Sequence, residues 1–340
     1  MKRALAPLAC LGLALFACEP KETVTPDATQ TEAEATADGE NNEAAEMSEE
    51  EARAAKLAQR FADLEEAKKA EAARWTDEMK AAAKALVEAD YKNASEAIAA
   101  ILAGTHRNPE NVARDAYRHP AETLAFFKLE QNMTVVEMGP GGGWYTEILA
   151  PFLAKKGKLM VNNGDPNGPE DEGGTFYARR FQYFVESNPD LYGKIEQHRP
   201  GEGGALNLGP AESADAVLVI RGLHGITRRG ELDATLDVVH STLKKGGTFG
   251  VIQHRAADDA DVTKTAEDGY IPQPWLVAAI EAKGFKLEEA SEINANANDT
   301  HDHPEGVWTL PPTLALGDQD ADKYKAIGES DRMTLRFTKK

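Results

Sequence analysis

Apolar residues follow two rhythms along the chain. From about Asn108 onward, short apolar runs of strand length alternate with stretches whose apolar residues recur every three to four positions. Strands are predicted at residues 133–137 (MTVVE), Lys158–Val161, near Ile195, and at Ala214–Ile220, Thr248–Gln253, Phe285–Glu288 and Thr334–Thr338. Helices are predicted at Tyr145–Leu153, Leu232–Leu243 and Trp275–Lys283, the last ended by Gly284. The alternation predicts an α/β fold with a doubly wound, Rossmann-like, seven-stranded and mostly parallel sheet. Residues 289–333 are too many for a hairpin loop and read as an insertion, a flap that takes part in function.

Upstream, the pattern thins. From Met47 to Ala103 the chain is rich in alanine and charge, with Leu57, Phe61, Leu64, Trp75, Met79, Leu86, Ile98 and Ile101 at irregular helical spacing. We read residues 53–106 as a helical extension, a solvated stalk before Trp75 that packs on the domain only later, and 107–340 as the main domain.

Charge and composition change the picture at the N-terminus. Lys2 and Arg3 precede an apolar stretch too short to span a bilayer, and small residues then lead to a cysteine. This is the pattern of an export signal, and Leu15-Phe16-Ala17-Cys18 resembles a bacterial lipobox, which gives a signal peptide at 1–17 and lipidation of Cys18. Between Glu19 and Glu51 twelve acids face Lys21 alone. With so few large apolar residues, 18–52 reads as a disordered acidic tether between membrane and domain. The expected location is the cell envelope, on the outer membrane facing the periplasm. A formal net charge of −19 with no basic stripe argues against nucleic acid as the partner, and nothing points to an obligate protein partner.

Candidate chemistry concentrates where the first strand ends. Glu137 is followed by Gly139, Gly141, Gly142 and Gly143 before a helix start, so backbone N–H groups can approach a ligand closely. A dinucleotide fingerprint begun at Gly139 needs glycine at 144 and meets Trp144; begun at Gly141 it meets Thr146. A phosphate loop needs a lysine before the helix, and none comes until Lys155. Glu137, Gly139, Gly141 and Gly143 resemble motif I of the class I S-adenosylmethionine (SAM) methyltransferases. The segments Arg107–Pro120, Arg221-Gly-Leu-His224, Gln253-His254-Arg255, Glu292–Asn296 and Gly306–Pro312 extend the likeness, from about Ala100 to the C-terminus, to a family of predicted exported class I methyltransferases.

The resemblance implies SAM as cofactor and a small-molecule methyl acceptor. It assigns cofactor binding to Glu137, Gly139, Gly141, Gly143, Trp144 and Arg221, and to Asn162 or Asp165 in place of the acid that class I enzymes put after the second strand to hold the ribose. His224 and His254 follow the fourth and fifth strands, whose ends line the ligand crevice of such sheets, and with Tyr145 they are the catalytic candidates. Trp144 and Tyr145 either face the sulfonium or pack the helix start. Arg221 either clamps an acceptor carboxylate or phosphate or pairs with a local acid. His301-Asp302-His303 matches no closed zinc pattern, so no metal is expected. Against the enzyme stands a second function, an envelope binding module that keeps the fold for SAM or another nucleoside-like ligand.

Overall fold

The structure is a computed structural model that describes residues 48–340; the expected signal peptide, Cys18 and most of the expected tether lie outside the described residues. Among the described residues eight strands form: β1 (Thr134–Met138), β2 (Lys158–Asn162), β3 (Glu196–His198), β4 (Ala214–Ile220), β5 (Leu243–Ala256), β6 (Ile271–Pro272), β7 (Phe285–Ser291) and β8 (Arg332–Lys339). Seven lie in the order β3-β2-β1-β4-β5-β8-β7, and β6 pairs only with the end of β5. The first five are mutually parallel, while β8 runs antiparallel to both β5 and β7. The expected mostly parallel, doubly wound sheet is therefore present.

Apolar runs became strands because the central strands are covered on both faces. Val135 and Leu218 join a core with the helix Thr146–Leu153 on one side, and Val136 and Val217 join another with the helix Leu232–Thr242 on the other. A glycine turn, Lys245-Gly246-Gly247, lies inside β5. Leu243 pairs with Ala214 and Thr248 with Ala216, so the residues between bulge out, with Gly246 at φ 78°.

Two features differ from the sequence reading. A helix at Gly173–Ser187 was not foreseen. The first helix, α1 (Glu49–Arg74), starts inside the stretch read as tether, with a capping box between Ser48 and Glu51. Nor is α1 a solvated stalk throughout: Phe61 and Leu64 are buried, and Phe61 meets Phe176 of the Gly173–Ser187 helix edge to face at 5.5 Å. Among the described residues no helix is long and apolar enough to cross a membrane.

Candidate functional site

The turn after β1 leaves the sheet between β2 and β4, at the point where the strand order reverses and crevices form in open α/β sheets. Gly139, Gly141 and Gly143 have φ of 64°, 60° and 83°, a region in which an L side chain is strained. The turn has an open side and a packed side. A Cβ on Gly139 or Gly141 would meet nothing within 4 Å, whereas one on Gly142 would strike the Arg180 guanidinium at 2.7 Å and one on Gly143 the Phe184 ring at 2.9 Å. The open side floors a cavity of about 270 Å³, also lined by Glu137, Trp144, Tyr145 and Arg221. Glu137 is buried and accepts a hydrogen bond from Thr146 Oγ1 (2.6 Å). Burial lifts its carboxyl to about 8, so it is largely neutral at pH 7 and can both donate and accept. Burial also pushes the Tyr145 phenol up, keeping it a hydroxyl.

A second cavity, of about 340 Å³, shares Gly139, Tyr177, Ile220, Arg221, Pro312 and Thr313 with the first and contains His224 and His254. The two are adjoining lobes of one crevice. Trp308, Pro311 and Pro312 wall the second lobe, so the insertion does fold over the ends of β4 and β5.

Gln253 decides the state of His224. Its Oε1 accepts from the Leu223 N–H (3.1 Å) and its Nε2 donates to the Gly269 carbonyl (3.0 Å), so its backbone partners fix which end of the amide is nitrogen. The same Nε2 lies 3.3 Å from His224 Nδ1, which must accept. The neutral His224 ring therefore carries its proton on Nε2, and burial lowers its pKa to about 4. His224 is built as a donor. His254 differs: its Nδ1 is 2.5 Å from Ser330 Oγ, and burial beside Arg221 and His224 holds it well below the usual histidine range. With Nδ1–H donated to Ser330, Nε2 keeps its lone pair and can act as a base.

Four arginines, Arg114, Arg118, Arg180 and Arg221, line the first lobe. Glu329 receives Arg114 Nε (2.6 Å), Arg118 Nε (3.0 Å) and Arg332 (2.9 Å). The guanidinium of Arg118 also lies over Trp144, 4.7 Å from the ring centre, while Trp144 Nε1 donates to the Asn111 carbonyl.

Of the residues expected to bind cofactor or act on it, Glu137, Gly139, Gly141, Trp144, Tyr145, Arg221, His224 and His254 line the crevice. Gly143 contributes to the packed side of the turn. Asn162 and Asp165 line neither lobe. Asp165 is exposed and its carboxylate closes its own loop by accepting from the Asn167 N–H (2.9 Å), while Arg199 grips the Gly164 carbonyl and holds the loop in place. Sequence reasoning missed Arg114, Arg180, Tyr177 and the crevice role of Glu329. The one available signal was the four-residue spacing of Arg114 and Arg118. His301 and His303 turn to carboxylates: His303 Nε2 is 2.9 Å from Asp299 and His301 Nε2 3.6 Å from Asp331. Among the described residues no group of His, Cys, Asp and Glu is arranged to hold a metal ion.

No protein-family model and no curated protein matches the chain. Among solved structures it is similar to a SAM-dependent methyltransferase from Aquifex aeolicus, at 15% identity over 68% of this chain and 93% of that one, with a TM-score of 0.43. It is similar also to the cyclase SpnF (14% identity, 66% of this chain, 80% of that one, TM-score 0.47) and to a SAM-dependent methyltransferase from Mesorhizobium loti (15%, 61%, 91%, TM-score 0.37). At such distances the chemistry has to be argued from the crevice itself.

Proposed function

We propose that the chain is a SAM-dependent methyltransferase, tethered to the cell envelope through lipidated Cys18, that methylates a small or lipid-associated acceptor. The observation carrying this reading is the open face of Gly139 and Gly141, continuous with a lobe that holds two histidines kept neutral by burial. The residues fit SAM on the glycine side, where two positions lack any neighbour a ligand would displace. SAM, when bound, supplies an electrophilic methyl carbon on a sulfonium.

The chain's own part is alignment and proton removal. The glycine turn and Glu137 hold the cofactor side. His224 Nε2–H orients the acceptor, and His254 Nε2 takes the proton of its attacking hydroxyl or amine. Tyr145 acts as a hydroxyl at the wall of the first lobe. Pro312 and Trp308 exclude water from above.

The second reading, a binding module without catalysis, is favoured by one observation: no carboxylate after β2 reaches the crevice. Isothermal titration of the full-length chain with SAM and with its demethylated product tests the first reading. Binding of both, lost in Gly141→Val, is expected; no heat with either sinks it, and binding without turnover leaves the module. Palmitate labelling lost in Cys18→Ala and kept in Cys10→Ala is the expected result for the anchor, and the reverse pattern moves it to Cys10.

A further inference from the structure

The first lobe is cationic in a chain that is strongly acidic. Arg118 is 2% exposed, yet neither of its terminal nitrogens has a hydrogen-bond partner. A terminal nitrogen of Arg114 and the Nε atoms of Arg221 and Arg332 are buried and unpartnered as well. Among the described residues Arg180 and Arg221 make no ion pair, and the one carboxylate that answers the group, Glu329, is already divided among Arg114, Arg118 and Arg332. The acid that lines the first lobe itself, Glu137, is largely neutral at pH 7. Buried cations left without counterions cost several kcal/mol each. SAM alone does not neutralise the group: its carboxylate can meet one guanidinium, but its sulfonium and ammonium bring two positive charges with it.

We infer that Arg114, Arg118 and Arg221 form an oxyanion site, which holds a phosphate or carboxylate group carried by the methyl acceptor. Guanidiniums suit this chemistry, since each presents a planar fork of donors that matches two oxygens of such a group. Arg221 belongs to both lobes, so an anion held there lies beside the two histidines. The acceptor role rests on the methyltransferase reading; the oxyanion site rests on the arginines alone. One consequence is coupling. An anion that neutralises the lobe removes the repulsion felt by the sulfonium, so acceptor and SAM strengthen each other's binding, by the same factor in either direction.

Titration of the full-length chain with glycerol 3-phosphate and with malonate, each with and without SAM, tests the inference. Binding of at least one of them, a gain of about fivefold or more in SAM affinity in its presence, and a loss of about tenfold or more in anion affinity in Arg221→Gln are expected. Arg221 has no ion pair to lose, so this variant should fold; Arg118→Gln provides a second test, with circular dichroism to check folding. If phosphatidic acid vesicles displace glycerol 3-phosphate, the anion is a lipid headgroup; if they do not, it is a free molecule, and both outcomes keep the site. Absence of anion binding, or anion binding that Arg221→Gln and a folded Arg118→Gln leave unchanged, overturns the inference, and so does competition between anion and SAM. Anion binding without any SAM binding removes the acceptor role and the methyltransferase reading together while leaving the oxyanion site. SAM binding without anion binding does the reverse.

Discussion

Around Asp299 and Asp331 every carboxylate oxygen has partners, whereas around Glu329 the donors outnumber the acceptors. Asp299 receives Tyr270 Oη (3.1 Å), the Asp331 N–H (2.8 Å), the His301 N–H (3.0 Å) and His303 (2.9 Å). Asp331 receives Arg255 through two nitrogens (2.8 and 3.1 Å) and the Asn296 N–H (2.8 Å), and Arg255 turns its remaining donors to Glu292. This saturated network ties the insertion to β5 and β8. The arginine cluster is close by in sequence, since Glu329, Ser330 and Asp331 are consecutive: the first faces the arginines, the second His254, the third the insertion. Buried polar groups that are fully paired hold structure, and those left short of partners mark where a ligand completes the set. That difference is open to attack from both sides.

The largest effect is expected at the unsaturated cluster. Glu329→Gln removes the negative charge shared by three guanidiniums, two of them buried, and should cost about 4 kcal/mol of stability in urea unfolding. Added phosphate should restore part of the loss, because an anion that binds only the folded chain stabilises it. A loss under about 1 kcal/mol would show that the arginines do not depend on this carboxylate, and the contrast between the clusters would fail.

His254, between the two clusters, comes next. In a methyl-transfer assay His254→Gln should lower the rate by about 100-fold or more with little change in stability, the usual contribution of a positioned base, while His224→Gln should cost about tenfold because it loses only a donor. Both rings are held neutral by burial, His224 to about 4 and His254 well below its ordinary value. A base works only unprotonated, so the rate should stay flat as the pH is lowered through the ordinary histidine range near 6.5. A rate that climbs with a midpoint near 6.5 would remove His254 from that role.

At the saturated network, Asp331 carries a pH signature. Its pairing with Arg255 and the Asn296 N–H, with His301 near, depresses the carboxyl to about 2 from an ordinary 3.8. A depressed carboxyl stabilises the fold above its unfolded pKa, and that contribution, about 2 kcal/mol, is lost as the pH falls from about 4 to 2. Asp331→Asn should lose about that much at pH 7 and flatten the acid limb of a stability profile. Its anion affinity should stay near that of the parent chain, whereas Arg221→Gln should keep the stability and lose the anion.

The two clusters were not equally legible in the sequence. Strands buried on both faces announce themselves as apolar runs, and a turn that needs positive φ at three places leaves its glycines in view at 139, 141 and 143. The ends of β4 and β5 then gave His224 and His254. The arginine cluster is different: Arg118 and Glu329 meet across 211 positions, through a sheet order that no local pattern specifies. The helix Gly173–Ser187 was hidden because two glycines open it and its apolar residues are shared between α1 and the glycine turn, so no clean stripe forms. Asn162 and Asp165 were chosen by their position after β2, but a short polar side chain in such a loop is satisfied as well by its own backbone, and Asp165 is. The proton on His224 needed Gln253 and Gly269, neither of them a neighbour in sequence.

The smallest expected effect separates pairing from proximity. His301 Nε2 lies 3.6 Å from Asp331 Oδ2, too far for a hydrogen bond but close enough to favour the charged ring, and Asp331 and Asp299 raise its pKa. A raised histidine stabilises the fold below its unfolded pKa, near 6.5, and the contribution is lost as the pH rises through the folded value. The ring is partly exposed, so the loss should stay under about 1 kcal/mol. His301 sits at φ 63°, which asparagine tolerates, so His301→Asn removes the charge with little backbone cost. The variant should lose the slope of stability between about pH 6 and 8 and keep the acid limb set by Asp331. If the slope persists in His301→Asn, the insertion is held by its direct hydrogen bonds alone, and the saturated network owes nothing to histidine charge.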